Sequence, residues 1–253
     1  MKICIFGSGA IGSYIGALLH KNNINVSLIC RGEHLKAINN NGLLMQSAES
    51  NEEYFCTPKA SDNPNHFDKQ DVIIVTLKAH SAALTAKMLS PLMKKDTMVV
   101  SAVNGLPWWY FYKSQDQYEN LRLQSVDPKN LQWDYITPER AIGCVVYPAA
   151  EIKNPGHVYH LEGNRFPIGE PSGEVTNRIK GLSKILIESG LKAPVRKNIR
   201  SDIWMKLWGN LAFNPISALT RETLEEIVSN KESCEIARLM MIEGEAVAKA
   251  LGI

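Results

Sequence analysis

Apolar positions near the start of the chain follow two kinds of pattern. Residues 2–6 (KICIF) and 25–30 (NVSLIC) are short continuous apolar runs. Between them, residues 10–20 (AIGSYIGALLH) place apolar side chains on a helical period. Strand, helix and strand within about thirty residues form a βαβ unit, which requires parallel strands and a right-handed crossover. Residues 71–77 (DVIIVTL), 97–103 (TMVVSAV) and 141–147 (AIGCVVY) read as further strands. They lack alternation, as expected where both faces of a sheet are covered.

Residues 81–94 read as a helix between the first two of these strands. Residues 42–46 and 53–57 suit a small hairpin, and 156–170 suit strands around turns. An amphipathic helix is expected over 175–189, ending at Gly190. Residues 114–139 are polar, contain Asp127-Pro128 and keep no period, which describes a surface insertion.

From Asp202 onward the pattern is helical. Helices are expected over 201–213, 221–229 and 233–251, with Pro215 marking the first break and Ser201 and Asp202 capping the start. The fold class is therefore α/β: an N-terminal Rossmann-type doubly wound sheet over residues 1–197, followed by an all-helical C-terminal domain over 198–253. So short a helical part buries little surface by itself. It must lean on the first domain, pair with a second copy in a homodimer, or belong to a longer polypeptide.

Composition narrows the class. Apolar residues make up 45% and charged residues 21%, the balance of an ordinary globular protein. A formal charge of +2 is too small for a nucleic-acid binder. No apolar run approaches the roughly 18–20 residues that span a bilayer. The start runs straight into glycines with no cleavage signal, so no membrane partner and a cytoplasmic location are expected. The five cysteines are scattered and suit buried, reduced thiols. No metal is expected, and His157 and His160, three apart in a strand, should face opposite ways.

Candidate chemistry begins at Gly7-Ser8-Gly9-Ala10-Ile11-Gly12, a GxGxxG directly after a strand and opening a helix. Gly7 permits the tight turn, Gly9 the close approach of a pyrophosphate, and Gly12 close packing of helix on strand. The free N–H groups of the helix start then face the phosphates. Arg31, at the end of the second strand, suits a 2′-phosphate by charge and by its planar fork of donors, which favours NADPH as cofactor. Lys78 and Asn104 close two further strands, where ligands of open α/β sheets gather.

The most informative stretch is 198–215. Lys206, Asn210 and Asn214 stand at i, i+4 and i+8, on one stripe of a helix whose neighbours Ile203, Trp204, Leu207, Trp208 and Leu211 are apolar. Asparagine is a mediocre helix former, so two of them in register with a lysine need partners. A ligand carrying a carboxylate and a carbonyl would supply them.

Together these residues resemble the ketopantoate reductase (2-dehydropantoate 2-reductase) family over essentially the whole chain. The resemblance rests on the GxGxxG, Arg31, VTLK ending in Lys78, NG at Asn104, and above all K-x3-N-x3-N-P over 206–215. It implies an NADP-dependent oxidoreductase that reduces ketopantoate to pantoate in coenzyme A biosynthesis. Lys206 would donate the proton to the keto oxygen, and Asn210, Asn214 and Asn104 would bind substrate. Asn104 and Lys78 would also meet the cofactor, and Arg31 would hold its 2′-phosphate. Family members continue into a further segment with a substrate-binding serine and a ribose-binding glutamate, which leads us to expect a truncated chain. Pro107-Trp108-Trp109-Tyr110 and the 114–139 insertion would add bulk beside the site. Two other readings are a reductase of a bulkier 2-keto acid and a non-catalytic NADP-binding module.

Overall fold

A computed structural model describes all 253 residues, and they group into two compact units. One holds Met1–Val103 and Pro107–Ile199; the other holds Asn104–Leu106 and Arg200–Ile253. The first unit opens as β1 (Lys2–Phe6), α1 (Ala10–Lys21), β2 (Asn25–Ile29) and α2 (Gly32–Asn41). β3 (Leu43–Ser47), β4 (Glu53–Cys56), β5 (Lys59–Ser61) and β6 (Gln70–Val75) follow. Next come α3 (Ala79–Thr85), β7 (Met93–Ser101), α4 (Leu131–Ile136) and β8 (Ala141–Cys144). The unit closes with β9 (Ala149–Asn154), β10 (His157–Glu162), β11 (Ile168–Gly169) and α5 (Asn177–Glu188).

Seven strands form the main sheet in the order β11-β8-β7-β6-β1-β2-β5. All its pairs are parallel except β8 with β11. The chain steps from β1 outward to β2 and then returns to β6 on the other side of β1. That reversal is the topological switch point of a doubly wound sheet, where a crevice opens beyond the strand ends. A second sheet, β4-β3-β10-β9, covers the other side of α1. α1 therefore buries Gly12 through Ala17 and Leu19 rather than one narrow stripe.

The hairpin of β3 and β4 forms as its pattern suggests, but it belongs to this second sheet, completed by β10 pairing parallel to β3. The expected helix over 81–94 is cut short. α3 ends at Thr85, a tight 3-10 stretch containing Pro91 runs to Leu92, and β7 begins at Met93. Proline removes a helical N–H and favours that break. The insertion is largely turns, yet it is anchored. The buried Asp127 accepts from the N–H groups of Gln132 (2.8 Å) and Trp133 (2.9 Å) at the start of α4.

The second unit consists of α6 (Ile199–Thr220), α7 (Leu224–Ser229) and α8 (Lys231–Ala250). α6 starts at Ile199, so Ser201 and Asp202 lie inside its first turn rather than at its cap. It also runs through Pro215, where a break was expected. Ala212 and Ile216, on either side of the proline, pack with Ile227 of α7 and Ala237 of α8, and that burial holds the helix together across the missing hydrogen bond. Thr223 and Glu226 cap α7 reciprocally, and Asn230 caps α8. No helix is long and apolar enough to cross a membrane.

Candidate active site

One row of paired residues crosses the main sheet: Ile29, Phe6, Val75, Ser101 and Gly143. The chain leaves this row into the glycine turn after Phe6, toward Arg31 after Ile29, toward Lys78 after Val75, and toward Asn104 after Ser101. Register alone thus brings the glycine turn and the segments leading to Arg31 and Lys78 to the carboxyl edge of one sheet, around the switch point.

The glycine turn is tightly built. Gly7 sits at φ +102°, a conformation open to glycine, and its N–H and that of Ser8 donate to the Ile29 carbonyl at 3.0 and 2.8 Å. Gly12 lies against β1 and the strand end of β6. A side-chain carbon there would stand 2.8 Å from the Gly7 carbonyl oxygen and 2.9 Å from Ile5. Above Gly9 the space is open, with nothing nearer than the Gly7 oxygen at 4.0 Å. No side chain caps α1 and no acidic residue stands in its first turn. The positive end of the helix dipole is left to an anion from outside the chain. Ala10 and Ile11 are partly exposed at this mouth. These features fit a dinucleotide pyrophosphate. Ser8 differs in kind: it is buried, and its hydroxyl lies 3.0 Å from that of Ser13.

Arg31 is exposed and is the residue from which α2 begins, with no side-chain partner in the chain. Lys78 is exposed at the start of α3, where its carbonyl accepts from Ser81 and Ala82. Both cations are free to meet an anion. Asn104 is exposed and groups with the C-terminal helices rather than with the sheet that leads to it.

Lys206, Asn210 and Asn214 lie on one continuous helix, α6. Counting 100° per residue from Lys206, the two asparagines fall at about 40° and 80°. Trp208, Ala212 and Ile216 fall at about 200–280° on the same count. These last three face the unit's own interior: Trp208 lies against Gly244 of α8, and the others join the core with α7 and α8. The polar stripe is therefore on the side of α6 that the helical unit does not use for its own packing. Lys206 and Asn210 are half-buried, and Asn214 is exposed.

The aromatic run is buried. Trp109 is fully buried, with its ring filling the space beside Gly143, and Trp108 meets Trp133 edge-on at 6.1 Å. Trp108 thus packs on the insertion and Trp109 on the sheet.

Sequence reasoning missed His34. The segment after Arg31 carried too few apolar residues to read as a helix, although Leu35, Ile38 and the stop at Gly42 were a usable signal. His34 Nε2 lies 3.0 Å from Ser13 Oγ, and its Nδ1 accepts from the Gly156 N–H at 3.0 Å. Burial pushes its pKa below the ordinary histidine value.

Residues 3–173 match the family model of the ketopantoate reductase PanE/ApbA, and residues 198–253 match the model of its C-terminal domain. A 2-dehydropantoate 2-reductase of Mesorhizobium japonicum is 46% identical across 254 aligned residues, which span all of this chain and 77% of that protein. A crystal structure of a candidate ketopantoate reductase from Ralstonia solanacearum MolK2 is similar at TM-score 0.94 and 33% identity, covering 99% of this chain and 77% of that one. A D-mandelate dehydrogenase with NADH and anilino(oxo)acetate shares the fold, at TM-score 0.84 and 23% identity, over 100% of this chain and 75% of its own.

Proposed function

We propose, from the premise that this chain belongs to the ketopantoate reductase family, that it reduces 2-dehydropantoate to pantoate with NADPH. The observation that carries the catalytic part is the stripe of Lys206, Asn210 and Asn214, turned away from the core of its own helical unit. A lysine and two amides set along one stripe of a rigid helix suit a small acid with a carbonyl.

NADPH, when bound, supplies the hydride that reaches the keto carbon. The chain's residues do the rest. The turn from Gly7 to Gly12 and the open start of α1 hold the pyrophosphate, with Ala10 and Ile11 among the first-turn N–H donors. Arg31 pairs with the 2′-phosphate and sets the preference for NADPH over NADH. Lys78 adds positive charge at the crevice. Lys206 transfers a proton from its ammonium to the carbonyl oxygen as negative charge develops there. Asn210 and Asn214 fix the carboxylate and hydroxyl groups of the substrate, and Asn104 steadies substrate and nicotinamide. Four buried cysteines with no disulfide among them suit the reducing cytoplasm.

The test is direct. Purified protein given NADPH and 2-dehydropantoate is expected to oxidise the cofactor and form pantoate in equal amounts. Cofactor binding without turnover of this acid, or of any acid in a panel of larger 2-keto acids, would leave only a cofactor-binding module.

A further inference from the structure

We propose that His34 is a positioning residue for the cofactor, holding the glycine turn through Ser13 and releasing it when the imidazole takes up a proton. The inference rests on the cofactor site described above, since it is the turn of that site that His34 holds.

The proton inventory leaves one arrangement. The Gly156 N–H points at Nδ1 from 3.0 Å, so Nδ1 presents a lone pair and the single proton of the neutral ring sits on Nε2. Nε2–H then donates to Ser13 Oγ at 3.0 Å. The Ser13 hydroxyl in turn donates to the Ser8 carbonyl at 3.2 Å, with Ser8 Oγ 3.0 Å away to complete the set. Ser8 and Ser13 are both buried, so water cannot replace these partners. Ser8 is the second residue of the glycine turn. His34 therefore ties three pieces together: α2, the start of α1, and the turn between β9 and β10. The last is pinned from its other side by the Leu44 N–H, which donates to the Gly156 carbonyl at 2.9 Å.

A second proton on the ring would place Nδ1–H against the Gly156 N–H, donor facing donor. The contact must open, and the imidazole must shift away from Ser13 or toward water. No nearby charge works against this. On α2, Glu33 pairs with Lys36 at 2.8 Å, and Arg31 is exposed. On α1, Tyr14 stacks on His160, while His20 and Lys21 lie further along the helix. Around Gly156, His157 meets Gln46 and Lys153 lies over the Tyr159 ring. Cys30, just past β2, is a buried thiol. Burial alone lowers the proton affinity of His34.

The experiment measures NADP⁺ binding by calorimetry from about pH 8 down to about pH 4.5, through and below the ordinary histidine range, for the wild type, His34→Gln, His34→Ala and Ser13→Ala. The 2′-phosphate of the ligand itself titrates near pH 6, at about the value of other phosphate monoesters, so the readout is the difference between curves. Gln can donate to Ser13 but does not titrate. His34→Gln is expected to bind like the wild type at the alkaline end and to lose less affinity on acidification. His34→Ala and Ser13→Ala are expected to bind about three- to tenfold more weakly at the alkaline end, as for one lost hydrogen bond, and also to lack the extra acid loss. Thermal unfolding midpoints establish that each variant is folded. If His34→Ala does not fold, the comparison of His34→Gln and Ser13→Ala with the wild type decides. Superimposable pH curves for the wild type and His34→Gln would overturn the proposal while leaving the cofactor site standing. Failure of the wild type to bind NADP⁺ at about pH 8 would overturn both.

Discussion

Gly12 faces Thr76 across the first turn of α1 so closely that a methyl group on Gly12 would stand 2.6 Å from the Thr76 hydroxyl oxygen. That hydroxyl is not idle: it donates to the Gly7 carbonyl at 2.8 Å and so braces the glycine turn from the neighbouring strand. Gly12→Ala is expected to destabilise the protein by about 1–3 kcal/mol, the usual cost of forcing a carbon into a packed site. It should also weaken NADPH binding, because the turn must shift. The double variant with Thr76→Ala should cost less than the sum of the single changes, because one of the colliding atoms is gone. Urea midpoints of the four proteins measure this coupling, and strict additivity would contradict the packing described.

Buried thiols give a second prediction. Burial pushes Cys4, Cys56 and Cys144 up to about 12 and Cys30 up to about 11, from an ordinary value of 9.0. The folded state thus resists forming thiolates. The stability this contributes is fully present below pH 9 and is lost as pH rises through 11 to 12. Only Cys234 is partly accessible. A disulfide reagent at mildly alkaline pH is expected to label one thiol of the native protein quickly and all five after unfolding. Fast labelling of a second thiol in the native state would show that a buried strand opens.

Much of the first unit was legible because its signals are local. β1, α1 and β2 announce themselves through two apolar runs, one helical period and a glycine turn whose chemistry lies within six residues. α2 was not legible. GEHLKAINNN has three asparagines and buries only Ile38 fully, so its helical stripe is too narrow to stand out. The second sheet was hidden for another reason. β3 and β10 pair in parallel although more than a hundred residues separate His160 from Ser47, and no local pattern encodes that meeting.

The site divides the same way. The residues of the glycine turn could be named because turn geometry dictates residue type. His34 could not, because its role exists only where Ser13 and Gly156 come within reach of one ring. Pro215 misled for the opposite reason. A strong local rule was outweighed by packing of Ala212 and Ile216 against two other helices.

The proposed role of Arg31 in cofactor preference can be tested by its removal. Arg31 is exposed and makes no side-chain capping hydrogen bond at the start of α2, so Arg31→Ala should change folding stability by no more than about 0.5 kcal/mol. The dissociation constant for NADPH should rise about ten- to a hundredfold, as expected for losing a charge-assisted contact to phosphate. That for NADH, which lacks the phosphate, should barely move. Equal losses for both cofactors would mean that Arg31 acts elsewhere, on a part the two share.

Lys206, proposed above as the proton donor, gives the test of the catalytic assignment. Lys206→Ala is expected to lower kcat by about 10²- to 10⁴-fold, the range for removing a general acid. Affinity for NADPH should be unchanged, because the residues assigned to the phosphates lie on the sheet unit. Lys206→Arg separates two roles that alanine cannot. A guanidinium keeps the charge and could still attract the substrate carboxylate, but it holds its proton too tightly to give it up. If Lys206 is the proton donor, arginine should lose nearly as much kcat as alanine, with a smaller rise in KM. If Lys206 only attracts the carboxylate, arginine should keep kcat, and the assignment of the acid would pass to another group. Steady-state rates with varied 2-dehydropantoate at saturating NADPH distinguish the two.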